Sequence, residues 1–113
     1  MPRINSYSFG RMVIDKKLYE KDVLILPSGK ILQRPMPKGT HVICFSEFSE
    51  ILKEKPRVII IGTGEVGCAE LETGAMNKIK EQGVRIIVQP TGEAIKSYNK
   101  CKEEKAGLFH LTC

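Results

Sequence analysis

Hydrophobic positions in the first half of the chain come in short alternating runs, whereas the second half switches between β-branched blocks and helical spacing. Ile4–Phe9 alternates weakly, Gly10 interrupts it and Met12-Val13-Ile14 resumes, so both stretches read as strands. Asp22–Leu26 and Lys30–Gln33 flank Pro27-Ser28-Gly29, where the glycine tolerates positive φ, and together they predict a hairpin. Pro35 and Pro37 end its second strand, because proline has no N–H to give a ladder. His41–Phe45 is a further short apolar run. Ser46 is placed to cap a helix carrying Phe48, Ile51 and Leu52 on one side.

Beyond Pro56, the residues Val58, Ile59, Ile60 and Ile61 form an unbroken β-branched block, the mark of a strand covered on both faces. Gly62-Thr63-Gly64-Glu65-Val66-Gly67 follows. A helical segment then puts Leu71, Ala75, Met76 and Ile79 on one face and stops at Gly83. Val84–Val88 is a second β-branched run, parallel to the first through the usual right-handed crossover. Pro90-Thr91-Gly92 opens a last helix, with Thr91 as its cap and Ala94, Ile95, Tyr98 and Cys101 as its buried stripe. Leu108–Leu111 is a terminal strand. The fold class is α/β: one mixed sheet, with antiparallel pieces from the first half and a β-α-β-α-β second half.

The 113 residues make one domain, large enough to bury roughly two-thirds of its unfolded surface without staples. The N-terminal residues 1–7 lack the apolar core of a signal peptide, and no apolar run approaches the roughly 20 residues a bilayer needs. The expectation is a cytoplasmic protein, with no membrane role. Its four cysteines, with no CxxC, are then expected to be reduced and mostly buried as small hydrophobes. The net charge of +5 has one modest cluster, Lys30, Arg34 and Lys38, on the hairpin. Without tryptophan and with 6% aromatics, that cluster supports at most weak, sequence-blind nucleic-acid binding.

Gly62-x-Gly64-x-x-Gly67, after a buried strand and before a helix, has the form of a dinucleotide fingerprint. Its context argues otherwise. Glu65 puts negative charge where a diphosphate would lie, Val84–Gln89 ends without a ribose-binding acid, and the upstream chain is too short for the remaining strands. No cofactor, NAD or FAD included, is expected. His41-x-x-Cys44 and His110-x-x-Cys113 suggest zinc, but side chains three apart on a strand face opposite ways, so no metal is expected unless the pairs converge across the fold. No nucleophile elbow or Walker lysine is present, and paired acids such as Glu70 with Glu72 fit solvated surfaces. In open α/β sheets, ligands gather outside the carboxyl ends of strands. That rule makes Gly62, Thr63, Gly64, Thr91 and Gly92 candidate ligand-binding residues for a small anion such as a carboxylate or phosphate, and a small-molecule-binding protein or small enzyme using the Gly62–Gly67 loop is the alternative function.

Val58-Ile59-Ile60-Ile61-Gly62-Thr63-Gly64, Gly83-Val84 before a strand, and Thr91-x-x-Ala94-x-x-x-Tyr98-Asn99 occur in an order that resembles one small α/β domain family. That family includes the adipogenesis-associated domain protein and a mitochondrial complex I assembly factor. Leu26-Pro27-Ser28-Gly29 and Phe9-Gly10 fit it too, so the resemblance spans nearly the whole chain. It implies a three-layer fold with a central mixed sheet of about five strands, one of them antiparallel to the rest. Helices pack on that sheet and an N-terminal β-hairpin adds a further layer. The resemblance brings no reaction; it adds Asn99 to the candidate residues and favours a non-enzymatic binding or assembly-type domain with a protein partner. Where members often carry an arginine after the glycine that follows the last helix, this chain has Gly107-Leu108.

Overall fold

The computed structural model describes residues 2–113. Its strands are β1 (Ile4–Ser8), β2 (Arg11–Ile14), β3 (Lys17–Tyr19), β4 (Val23–Ile25), β5 (Ile31–Gln33), β6 (Val42–Ile43), β7 (Val58–Thr63), β8 (Glu70–Leu71), β9 (Arg85–Gln89) and β10 (Lys105–His110). Three short helices interleave with them: α1 (Ser49–Lys53), entered through a 3-10 turn at Phe45–Phe48, α2 (Ala75–Lys80) and α3 (Thr91–Lys100). A central five-stranded sheet has the order β5-β4-β10-β7-β9. β10, β7 and β9 run parallel, β4 is antiparallel to β10, and β5 is antiparallel to β4. One strand, β4, therefore opposes the other four.

Period-two alternation splits this sheet into two apolar faces. Val23, Ile25, Val58, Ile60 and Phe109 face one way, against Ala94, Ile95 and Tyr98 of α3 and against Ile4, Met12 and Ile14 of the antiparallel β1-β2-β3 sheet. Leu24, Leu26, Ile59, Ile61 and Leu108 face the other, against Phe48, Ile51, Ile79 and Ile43. The central sheet is the middle of three layers. The block Val58–Ile61 has no exposed residue, as its unbroken apolar pattern requires.

Several local expectations change. Leu71 lies in β8, not on a helical face: Glu70 and Glu72 give their N–H groups to His41 O and Ile43 O, so that backbone belongs to a ladder with β6. Ser46 does not cap the first helix, because the turn begins after Cys44, whose N–H is held by the Glu47 carboxylate at 2.8 Å. Thr91 lies inside the first turn of α3, after Pro90. The run at β9 is only partly covered, since β9 is a sheet edge. α3 ends at Lys100, and Lys105-Ala106-Gly107 starts the fully buried β10. Lys105 closes that helix: its Nζ donates to Tyr98 O at 2.5 Å and Cys101 O at 3.1 Å, supplying a cation at the helix C-terminus. Burial lowers the pKa of this ammonium, outweighing the opposite pull of Cys101, and the charges of Arg3 and Lys102 add to the lowering. All four cysteines are free, yet only Cys44 is buried and Cys68 is exposed.

Candidate functional site

The hairpin that pairs Val23 with Gln33 sets Asp22 and Arg34 side by side just past the ladder, where Arg34 N donates to Asp22 O. The β10–β4 register pairs Phe109 with Val23, which brings His110 against Asp22 from the other side. Asp22 accordingly accepts three hydrogen bonds: from Arg34 Nη1 at 2.9 Å, from His110 Nδ1 at 2.7 Å and from Leu111 N at 2.8 Å. Because an ionised carboxylate paired with an arginine only accepts, the ring proton of His110 belongs on Nδ1.

Arg34 is 1% exposed. Its Nε donates to Glu47 Oε1 at 2.6 Å, and the rest of its fork reaches Thr40 O and Val42 O at 3.0 Å each. The loop after Pro35 and Pro37 wraps the guanidinium and turns its carbonyls inward. Glu47 is itself held by Cys44 N at 2.8 Å and Met36 N at 3.3 Å. A buried polar chain thus runs from Glu47 through Arg34 and Asp22 to His110, and every link is charge-assisted. Beyond it lie the exposed His41, whose ring meets His110 edge-on at 5.9 Å, and the half-buried Cys113, whose Sγ is 3.3 Å from His41 Nε2.

The basic stretch presents fewer free cations than its sequence suggests. Arg34 is neutralised in the interior, and Lys38 is tied to Glu72 at 2.9 Å. That contact raises the Lys38 pKa and lowers that of Glu72 through the shared hydrogen bond first. Strand alternation was expected to keep the two members of each His-x-x-Cys pair apart, and for His110 and Cys113 it does not. β10 stops at His110, so strand alternation no longer governs Cys113, and His41, His110 and Cys113 meet across the fold.

The glycine loop is a joint in the chain. A Cβ on Gly62 would stand 2.8 Å from Thr91 Oγ1 and 3.1 Å from Thr91 Cα, so only glycine lets α3 seat on β7. Gly64, at φ +107°, donates its N–H to Thr91 Oγ1 at 2.9 Å, and Thr91 Oγ1 in turn donates to His110 O at 2.6 Å. Thr63 Oγ1 donates to Gln89 O at 3.1 Å. Glu65 N and Val66 N hold Thr112 O and Cys113 O. No helix starts at the loop: β8 follows Gly67, and α2 begins only at Ala75, so the pyrophosphate-binding turn of the fingerprint is not formed.

Gly62, Thr63, Gly64 and Thr91 are therefore one cluster, with their donors engaged internally. Gly92 lines a surface hollow of about 500 Å³ with Glu65, Pro90, Glu93 and Lys96. Asn99 stands two turns along α3 and clamps β1 instead: its amide accepts from Ile4 N at 3.0 Å and donates to Ile4 O at 2.9 Å. Sequence reasoning passed over Asp22, Arg34 and Glu47. The usable signal was a lone arginine between two proline breaks in a stretch with no acid from Val23 to Ser46.

Among solved structures, a conserved hypothetical protein of Pyrococcus horikoshii OT3 is similar over 98% of this chain and 99% of its own, at 28% identity and a TM-score of 0.88. A protein described as MT938 matches over the full length of both chains at 28% identity and a TM-score of 0.84. A Mth938-like domain from Bordetella pertussis, 16% identical over 96% of this chain and 85% of its own, shares the fold with a TM-score of 0.72. The described residues include no helix long and apolar enough to cross a membrane. The model of the DUF498/DUF598 family, described as proteins of unknown function, matches residues 4–109, and the chain belongs to that family.

Proposed function

We propose that this chain is a non-enzymatic binding or assembly-type domain that meets a protein partner at the end of the sheet where residues 111–113 lie. The observation that carries this reading is the exposure of Val66 (73%) and Phe9 (56%), the most exposed large hydrophobic residues among those described. Both flank the same segment: Gly10 N, next to Phe9, donates to Leu111 O at 2.8 Å, and Val66 N donates to Cys113 O at 3.0 Å. Exposed apolar groups on both sides of one short segment favour an interaction surface there. The resemblance to a family with assembly-type members points the same way. The same reading puts the protein in the cytosol, with its thiols reduced.

Affinity capture from native lysate, comparing the natural chain with a Phe9→Ser/Val66→Ser double variant of unchanged circular dichroism, tests it. A near-stoichiometric protein partner should appear with the natural chain and vanish with the variant. Identical recovery from both contradicts the reading. A second reading, small-anion binding, draws on the hollow beside Gly92, where Lys96 and the start of α3 offer positive potential against Glu65 and Glu93. Crystals soaked with phosphate, sulfate and acetate test it by ordered density between Gly92 and Lys96.

A further inference from the structure

We propose that His41, His110 and Cys113 are the protein ligands of a site for zinc or a similar borderline-soft divalent cation. His110 at the end of β10 and Cys113 three residues beyond it meet His41 from the entry to β6. One ligand atom from each lies within 4.8 Å of the other two. In a tetrahedral zinc site, bonds of about 2.1 Å to nitrogen and 2.3 Å to sulfur hold two nitrogens about 3.4 Å apart and nitrogen and sulfur about 3.6 Å apart. The His41 Nε2 to Cys113 Sγ separation is already 3.3 Å. Closing the remaining span takes roughly 1 Å of side-chain movement, available to the exposed His41 and the half-buried Cys113.

The second, independent observation is the state of His110. Its ring is wholly buried, and Asp22 Oδ2 takes its Nδ1 proton at 2.7 Å. This is the carboxylate–histidine arrangement that orients metal-binding imidazoles and raises their basicity. Asp22 is in turn locked by Arg34 Nη1 and Leu111 N, so the ring has little freedom to rotate. The proton on Nδ1 leaves the lone pair on Nε2. Its hydrogen-bond contact is Thr112 Oγ1 at 3.5 Å, at the outer limit for such a bond. A fixed, buried imidazole lone pair with so weak a partner, beside a second imidazole and a thiol, is a ligand arrangement.

Two imidazoles and one thiolate select zinc or cobalt(II) over magnesium and calcium, which want oxygen. Binding converts Cys113 to its thiolate: one S–Zn bond forms, and the thiol proton passes to solvent. Three ligands leave the fourth tetrahedral position on the side of the exposed His41, open to water or to an incoming donor. The competing arrangement is a plain S–H···N hydrogen bond between Cys113 and His41, with no ion.

Titration of the untagged, chelator-stripped full chain with cobalt(II) separates the two. The proposal predicts saturation at one equivalent, a thiolate-to-cobalt charge-transfer band, tetrahedral d–d absorption, and displacement of both by zinc. Cys113→Ser should abolish the charge-transfer band, and His41→Ala should weaken binding at least tenfold, with circular dichroism unchanged in each. Cys68→Ser, at the exposed cysteine outside the cluster, should change neither. His110→Gln removes a core residue and is not needed for the decision. Absence of a charge-transfer band at one equivalent overturns the proposal, as does binding indifferent to both Cys113→Ser and His41→Ala.

Discussion

Replacing Arg34 with methionine keeps the bulk of the side chain and removes the one cation from the buried network. Asp22 would lose one of its three donors and Glu47 the guanidinium that reaches both of its oxygens, at 2.6 and 3.3 Å. Both carboxylates would stay in the interior, where neither exceeds 6% exposure. Breaking a buried ion pair by deleting one partner costs about 3–5 kcal/mol, because the remaining charge is left uncompensated. Domains of this kind have only about 5–15 kcal/mol in total. With a urea m-value of about 1.5 kcal/mol per molar, the midpoint of unfolding should drop by about 2–3 M. Equilibrium urea denaturation followed by circular dichroism measures it. Adding Glu47→Gln to Arg34→Met should cost less than the sum of the two single changes, since the groups act as one network. A loss below about 1 kcal/mol, the range of exposed pairs, would refute the buried-network description.

The remaining outcomes follow from particular residues. The Tyr98 hydroxyl is buried without a partner among the described residues, so Tyr98→Phe should keep or raise stability, by up to about 1–3 kcal/mol, in the same urea assay. Burial raises the Tyr98 pKa well above its ordinary range, and burial followed by Glu65 and Asp22 raises that of Tyr7. Such groups fold best protonated, so their contribution holds below the unfolded tyrosine value of about 10 and is lost as the pH climbs past it. Tyr98→Phe should reduce that alkaline loss; Lys105, whose pKa is lowered, works oppositely and adds stability as the pH rises towards about 10.4. Gly64→Ala should cost about 1–3 kcal/mol from the backbone alone at φ +107°, plus the displacement of Thr112 O, seen as a lower thermal midpoint. With Arg34 buried and Lys38 paired, fluorescence anisotropy should find no nucleic-acid binding that survives physiological salt.

Much of the fold was legible because local pattern and burial agree. The Val58–Ile61 block is a doubly covered central strand, and Pro27-Ser28-Gly29 does join β4 to β5. β3 and β8 escaped notice because strands of two or three residues carry no measurable period, whereas β6 lies inside the apolar run His41–Phe45 that was read as strand. Arg34 was read as surface charge because its partners are distant in sequence: Asp22 twelve residues before it and Glu47 thirteen after. The convergence of His41 with His110 and Cys113 depends on β6 pairing with β8 and on β10 lying between β4 and β7, neither of which spacing reveals. The glycine loop was visible, but its donors could be assigned only once Thr91 and residues 112–113 were seen to occupy them.

If the carboxyl end of β7 and β10 is the working end of this molecule, one diffraction measurement reads it directly. Crystals soaked with zinc should be recorded on both sides of the zinc absorption edge. The expected result is a single dominant anomalous peak within bonding distance of His41, His110 and Cys113, about 2.0–2.3 Å from each donor atom. A dominant peak among Glu65, Glu93 and Gly92, at Cys68, or at no fixed place would contradict it.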